Sequence, residues 1–147
     1  MNSRPRWLAR ATALAVATVA MSPAAGTAGT PTPKEGTYSG AGTIVGDPSH
    51  GMELGLRLEG VNLEITALLV NFPGCSGGAS VPQTTVDEGK FETASFGSNS
   101  EVNRLKGRWV KPGKVKGKLV LERPEAASCG DQGTFTYKYS ARRYGGP

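Results

Sequence analysis

Met52-Glu53-Leu54-Gly55-Leu56-Arg57-Leu58-Glu59-Gly60-Val61-Asn62-Leu63-Glu64-Ile65-Thr66-Ala67 alternates apolar residues with polar residues or glycine on both sides of Gly60. A repeat of two is the side-chain period of a strand with one buried face. A two-residue loop at Glu59-Gly60 would pair Leu58 with Val61, Leu56 with Leu63 and Leu54 with Ile65. Met52, Leu54, Leu56, Leu58, Val61, Leu63, Ile65 and Ala67 then share one face, while Glu53, Arg57 and Glu64 share the other. The stretch is therefore expected to be an antiparallel hairpin. After Ala67 the alternation breaks at Leu68-Leu69-Val70, which predicts a bulge or a strand buried on both faces.

The same pattern recurs along the chain. In 134–144, Thr134, Thr136, Lys138 and Ser140 alternate with Phe135, Tyr137 and Tyr139. Gly and Pro punctuate the sequence too often for helices, with 21 Gly and 10 Pro in 147 residues. Strands are expected at 35–45, 52–59, 61–72, 90–96, 104–110, 114–122 and 134–144, with a short one near 81–86. Seven to eight short strands separated by turn signals predict an all-β domain, an antiparallel β-sandwich or partly open barrel. The length suits one domain at 35–144.

The N-terminus has a different character. Arg4, Arg6 and Arg10 precede the uncharged, mostly apolar run 11–21, and small residues follow Pro23. This is the layout of a secretory signal peptide over 1–28, with cleavage after Ala24, Gly26 or Ala28. The apolar run is about half of what a bilayer-crossing helix needs, so no membrane span is expected. Without adjacent arginines, the Sec route and a secreted, extracellular location are expected. Removal of 1–28 leaves 14 of the 17 cations against all 12 acids, so the net charge falls from +5 to +2. The basic balance of the full chain is thus no argument for nucleic-acid binding. Thr30-Pro31-Thr32-Pro33 then makes 29–34 an extended linker.

Two cysteines in an exported domain are expected to pair, which gives Cys75–Cys129. Closing a loop of that length stabilises by about 4 kcal/mol in the chain-entropy model. Neither cysteine sits in a CxxC pair that would make it a redox site.

Charge is unevenly spread. Residues 34–101 carry three cations (Lys34, Arg57, Lys90) against nine acids, whereas 104–123 carry eight cations against Glu122 alone. Arg104, Lys106 and Arg108, then Lys114, Lys116 and Lys118, fall at strand spacing, with Leu105, Gly107 and Trp109, then Val115, Gly117 and Leu119, between them. This predicts a β-hairpin with one cationic face. Only an odd loop pairs Trp109 with Val115, Gly107 with Gly117 and Leu105 with Leu119. A three- or five-residue loop with Gly113 at positive φ is therefore expected. Arg108 then faces Lys116 and Lys106 faces Lys118, an arrangement that costs roughly 0.2–1 kcal/mol per pair. Such a face either keeps an edge soluble, with Glu53, Glu64 or Glu92 beside it as neutralisers, or binds a polyanion. The polyanion would be a cell-wall polymer, an anionic glycan, anionic lipid or extracellular nucleic acid. Nucleic acid is disfavoured, because Trp109 is assigned to the core and no other ring lies nearby for bases to stack on.

Nothing in the sequence assigns a catalytic residue, a metal site or a cofactor. His50 is the only imidazole, in Asp47-Pro48-Ser49-His50-Gly51. Members of a triad converge from separate elements, so a turn capped by Asp47 and Ser49 is expected here. Asp87-Glu88 ahead of Gly89 reads as a polar turn. Asn71-Phe72-Pro73-Gly74-Cys75-Ser76-Gly77-Gly78 is a candidate exposed loop tethered by the disulfide. A hydrolase-like enzyme, or a protease inhibitor using the 71–78 loop, is the alternative to a binding module.

Gly89-Lys90-Phe91, Gly107-Arg108-Trp109, Lys114-Val115-Lys116-Gly117-Lys118-Leu119, and Cys129 ahead of Phe135-Thr136-Tyr137 follow one another in order. Over 89–142 this resembles a small exported all-β bacterial module of unassigned function. The resemblance implies an all-β domain with a bridging cysteine, and it brings no catalytic residues. The chain is thus expected to be a secreted, disulfide-bridged β-domain that acts by surface interaction.

Overall fold

The computed structural model describes residues 29–97, 102–124 and 129–146. The segment 1–28, read above as a signal peptide, lies outside the described residues. Nine strands form: β1 (Gly36–Ile44), β2 (Asp47–Glu59), β3 (Asn62–Phe72), β4 (Cys75–Gly78), β5 (Thr84–Thr85), β6 (Lys90–Glu92), β7 (Val102–Lys111), β8 (Lys114–Arg123) and β9 (Gly133–Gly145). No helix occurs among the described residues, so none there is long and apolar enough to cross a membrane.

All nine strands belong to one antiparallel sheet in the order β4-β3-β2-β1-β9-β8-β7-β6, with β5 paired to β3. Two meanders, β1-β2-β3 and β7-β8-β9, are thus joined through β1 and β9. The sheet does not close. Where β5 and β6 approach, the Thr84 hydroxyl donates to the Glu92 carbonyl at 2.9 Å. The single curled sheet is the partly open barrel of the two architectures expected, and not a two-sheet sandwich.

Inward residues fill the curl. Leu56, Leu58, Leu63, Leu105, Trp109, Val115, Leu119 and Tyr137 are buried. The Trp109 indole N–H donates to the Tyr38 hydroxyl at 3.0 Å, and that hydroxyl in turn donates to the Lys34 carbonyl. The Lys34 N–H donates to the Pro112 carbonyl at 2.9 Å. The 29–34 segment therefore ends docked against the β7–β8 turn. At the opposite end the Tyr137 hydroxyl donates to the Asn71 carbonyl at 2.8 Å, and Phe72 packs on Phe135 with ring centroids 6.0 Å apart. Cys75 and Cys129 are bonded there, across a sequence separation of 54.

Three local expectations are corrected. The β2–β3 turn is Gly60-Val61, because Gly60 takes φ +61° at the first of two turn positions, as a type II′ turn requires. Glu59 then faces Asn62, Leu58 faces Leu63 and Leu56 faces Ile65. Val61 is 60% exposed, and Ala67 is also exposed instead of joining the core. The expected bulge is present but falls at Thr66, which the ladder skips between Ile65 and Ala67. It switches the inward parity, so that Leu68, Val70 and Phe72 are buried while Leu69 is exposed.

The β7–β8 turn differs too. Lys111 pairs with Lys114 around a two-residue Pro112-Gly113 turn, and Gly113 is not at positive φ. Proline at the first turn position favours a type I turn, which splays the strands. A bulge at Val110 absorbs the mismatch, since the ladder passes from Trp109 to Lys111.

Finally, 71–78 is a hairpin and not a free loop. β3 runs to Phe72, β4 begins at Cys75, and only Pro73-Gly74 turns between them. Phe72 is buried, and the Asp131 N–H donates to the Pro73 carbonyl at 3.0 Å.

Candidate anion-binding face

The β7–β8 register places the expected cations as the alternation required. Arg108 faces Lys116, Lys106 faces Lys118, Gly107 faces Gly117, Trp109 faces Val115 and Leu105 faces Leu119. Arg104, Lys106, Arg108, Lys116 and Lys118 are exposed, and Lys114 is half-buried.

Neighbouring strands widen this face beyond the hairpin. On β9, Lys138 lies opposite Lys118 and Arg142 opposite Lys114. On β6, Lys90 lies opposite Arg108. The sequence reasoning missed these three. Lys138 stood on the polar side of an alternating strand, but only the strand order shows that β9 pairs with β8.

The acids offered as neutralisers are mostly elsewhere. Glu64 accepts from Arg57 at 2.5 Å. Glu53 sits on β2, separated from β9 by β1. Of these three, only Glu92 borders the face, opposite Lys106. Among the described residues, no carboxylate lies within ion-pair distance of these cations. The crowding has an electrostatic consequence: the Lys114 ammonium is held below the usual lysine range, chiefly by Arg142, then by desolvation, Lys116 and Lys111.

An open groove of about 910 Å³ runs over this surface. Lys90, Arg108 and Lys116 stand along one side, and Lys106, Lys118 and Lys138 along the other. Gly107 and Gly117 form the floor, and Asp87, Glu88 and Glu92 lie at the β6 end. Tyr139 belongs to the floor row but turns inward, where its hydroxyl donates to the Lys106 carbonyl at 3.1 Å. Burial pushes that phenol far above its ordinary range. Burial also pushes Tyr137 up to about 12, against a smaller opposing effect of Arg123.

Asp47, Ser49 and His50 do come together. Thr43 pairs with Gly51 and Ile44 with Asp47, so 48–50 form an excursion from the ladder. The Ser49 hydroxyl and N–H both donate to Asp47 Oδ1, at 2.5 and 3.2 Å, and His50 Nδ1 lies 2.7 Å from Asp47 Oδ2. The turn expected here is instead a bulged start to β2: Val45-Gly46 makes the turn, and these hydrogen bonds lie within the strand. A serine nucleophile needs a histidine to take its proton, with the acid on the other ring nitrogen. Here Ser49 gives its hydrogen to the acid, and both partners crowd Nδ1. The Asp47 carboxyl is accordingly held below the ordinary range by Ser49 first and His50 second.

The Cys75–Cys129 bridge joins β4 to the segment ahead of β9, and a disulfide of this kind fits an oxidising, extracellular environment. No protein-family model matches the chain, and no curated protein matches it.

Proposed function

We propose that this protein is an exported, disulfide-bridged β-domain that binds extracellular polyanions through the outer face of β6–β9. The cations across these strands carry the proposal. Their partners in register are mostly other cations or neutral residues, and no carboxylate neutralises them among the described residues. Opposed like charges cost stability, and a bound polyanion relieves that cost. The face is Lys-rich, which suits attraction along a repeating charge more than planar recognition of one group.

Export rests on Arg4, Arg6 and Arg10 ahead of the apolar run 11–21, together with the disulfide. The ordered Gly, aromatic and Cys features over 89–142 fit an exported module of the type they resemble.

Retention on a phosphocellulose resin tests the proposal. The mature domain binds at low salt and elutes as salt rises, because exposed charges are screened. A Lys114/Lys116/Lys118→Gln triple variant elutes much earlier. Retention unaffected by that change eliminates the proposal.

A further inference from the structure

We propose that the ligand of this face is a linear phosphate-linked chain, lying across the strands in the trench between two cationic banks. This rests on the polyanion proposal above and adds the chemistry and the track. One bank is Lys90, Arg108 and Lys116, opposite one another on β6, β7 and β8. The other is Lys106, Lys118 and Lys138, opposite one another on β7, β8 and β9. Within a bank, successive cations are one strand apart, about 4.8 Å, and the banks stand two residues apart along each strand, about 7 Å.

Between the banks runs the row Phe91, Gly107, Gly117, Tyr139, also in register across the four strands. Both rings turn inward over the glycines. A Cβ on Gly107 would lie 2.6 Å from Phe91 Cε1, and a Cβ on Gly117 would lie 2.6 Å from Tyr139 Cζ. Phe91 is 5% exposed and Tyr139 4%. The outward floor is therefore bare backbone, flanked by cations on both sides over β7 and β8 and on one side over β6 and β9, where Glu92 and Ser140 complete the rows.

That shape selects among anionic polymers. Each phosphate link carries two terminal oxygens that project to opposite sides of the chain, so one link meets both banks. A uronate polymer carries one carboxylate per ring, and its rings gain from stacking on aromatic surface, which is buried here. Bases of a single-stranded nucleic acid likewise find no stacking platform. The trench is bounded by acids at both ends. Glu92 closes one bank on β6, with Asp87 and Glu88 nearby, and beyond β9 the other row passes Ser140 and Ala41 to reach Glu53 on β2. The chain lies over β6–β9 between them.

Titration of the mature domain with orthophosphate and with inorganic polyphosphate of graded length is the test. Orthophosphate does not bind measurably. Affinity rises with chain length and levels off once the chain spans β6 to β9. A Lys106/Lys118/Lys138→Gln variant lowers the slope of log affinity against log salt by about three, one for each cation removed from the track. A Lys34/Arg57/Lys111→Gln variant removes the same charge away from the face and changes the slope by less than about one. Equal losses in the two variants overturn the trench while leaving polyanion binding intact. Tighter binding of polygalacturonate or oligothymidylate than of polyphosphate at matched charge overturns the phosphate assignment. Failure of every polyanion to bind at low salt removes this inference and the proposal beneath it together.

Discussion

Gly117 and Tyr139 face each other across β8 and β9, and the tyrosine ring takes the space that a side chain on the glycine would need. A Cβ built on Gly117 would meet Tyr139 Oη at 2.5 Å and would press on the Lys106 carbonyl as well. The carbonyl is backbone in a ladder and the tyrosine is buried, so neither can move cheaply. Gly117→Ala is therefore expected to destabilise the domain by about 1–3 kcal/mol, as overpacking does. Tyr139→Phe keeps the ring and loses only the bond to the Lys106 carbonyl, and should cost about 1 kcal/mol. Urea unfolding midpoints separate the two. An alanine variant as stable as wild type would mean that the ring does not sit against the glycine.

Glu88 and Gly89 form a turn with both residues at positive φ, 46° and 69°, and Asp87 and Lys90 close it with two backbone hydrogen bonds. A type I′ turn demands this conformation, and Asn-Gly is its preferred pair. A glutamate there carries steric strain. Glu88→Asn is expected to raise stability by roughly 0.5–1 kcal/mol, measured by thermal or urea unfolding. The same change removes a carboxylate from the rim of the cationic groove. Polyphosphate binding should therefore tighten, an effect that high salt removes.

Periodicity carried the core and half of the site. Where the polar–apolar alternation was strict, in 104–122, parity alone fixed which lysines face which. The outcome did not depend on the turn, because the Val110 bulge and an odd loop produce the same register. Periodicity failed where an extra residue is absorbed. The break at Leu68-Leu69 signals a bulge but not that Thr66 is the residue skipped, and Pro48-Ser49-His50 reads as a turn and not as an excursion within a strand. β4 was hidden because Cys-Ser-Gly-Gly has no apolar alternation, and it is held in place by pairing with β3 and by the disulfide. The position of Lys138 beside Lys118 is a long-range pairing, and no local pattern encodes which strands become neighbours.

The disulfide ties the otherwise short edge strand β4 to the segment leading into β9. Around it, Arg123 lies over the Phe72 ring at 3.9 Å and donates to the Cys129 carbonyl at 2.5 Å. A Cys75→Ser/Cys129→Ser variant is expected to lose about 2–4 kcal/mol, read as a lower urea midpoint. The loss should localise as well. Amide exchange should accelerate first in Cys75–Gly78 and at the Phe72 end of β3, while β7 and β8 stay protected. Uniform acceleration across the sheet would show that the bridge holds the whole curl and not one edge.

Lys114 and Arg142 lie opposite each other on β8 and β9, and Arg142 is the main cause of the lowered Lys114 pKa. For a base, a folded-state pKa below the unfolded one means that the charged form is disfavoured in the native protein. The penalty applies while both states are protonated, and it disappears as pH rises through the folded and then the unfolded pKa. Arg142→Gln should therefore raise the Lys114 pKa toward its ordinary value. It should also stabilise the domain slightly at neutral pH and low salt. The gain should shrink at high salt, because the pair is exposed to screening. A bound polyanion acts in the same direction, since its negative charge favours the ammonium. Lysine side-chain NMR titration with and without polyphosphate reads both effects, and a Lys114 resonance that does not respond to either change would remove Arg142 as the cause.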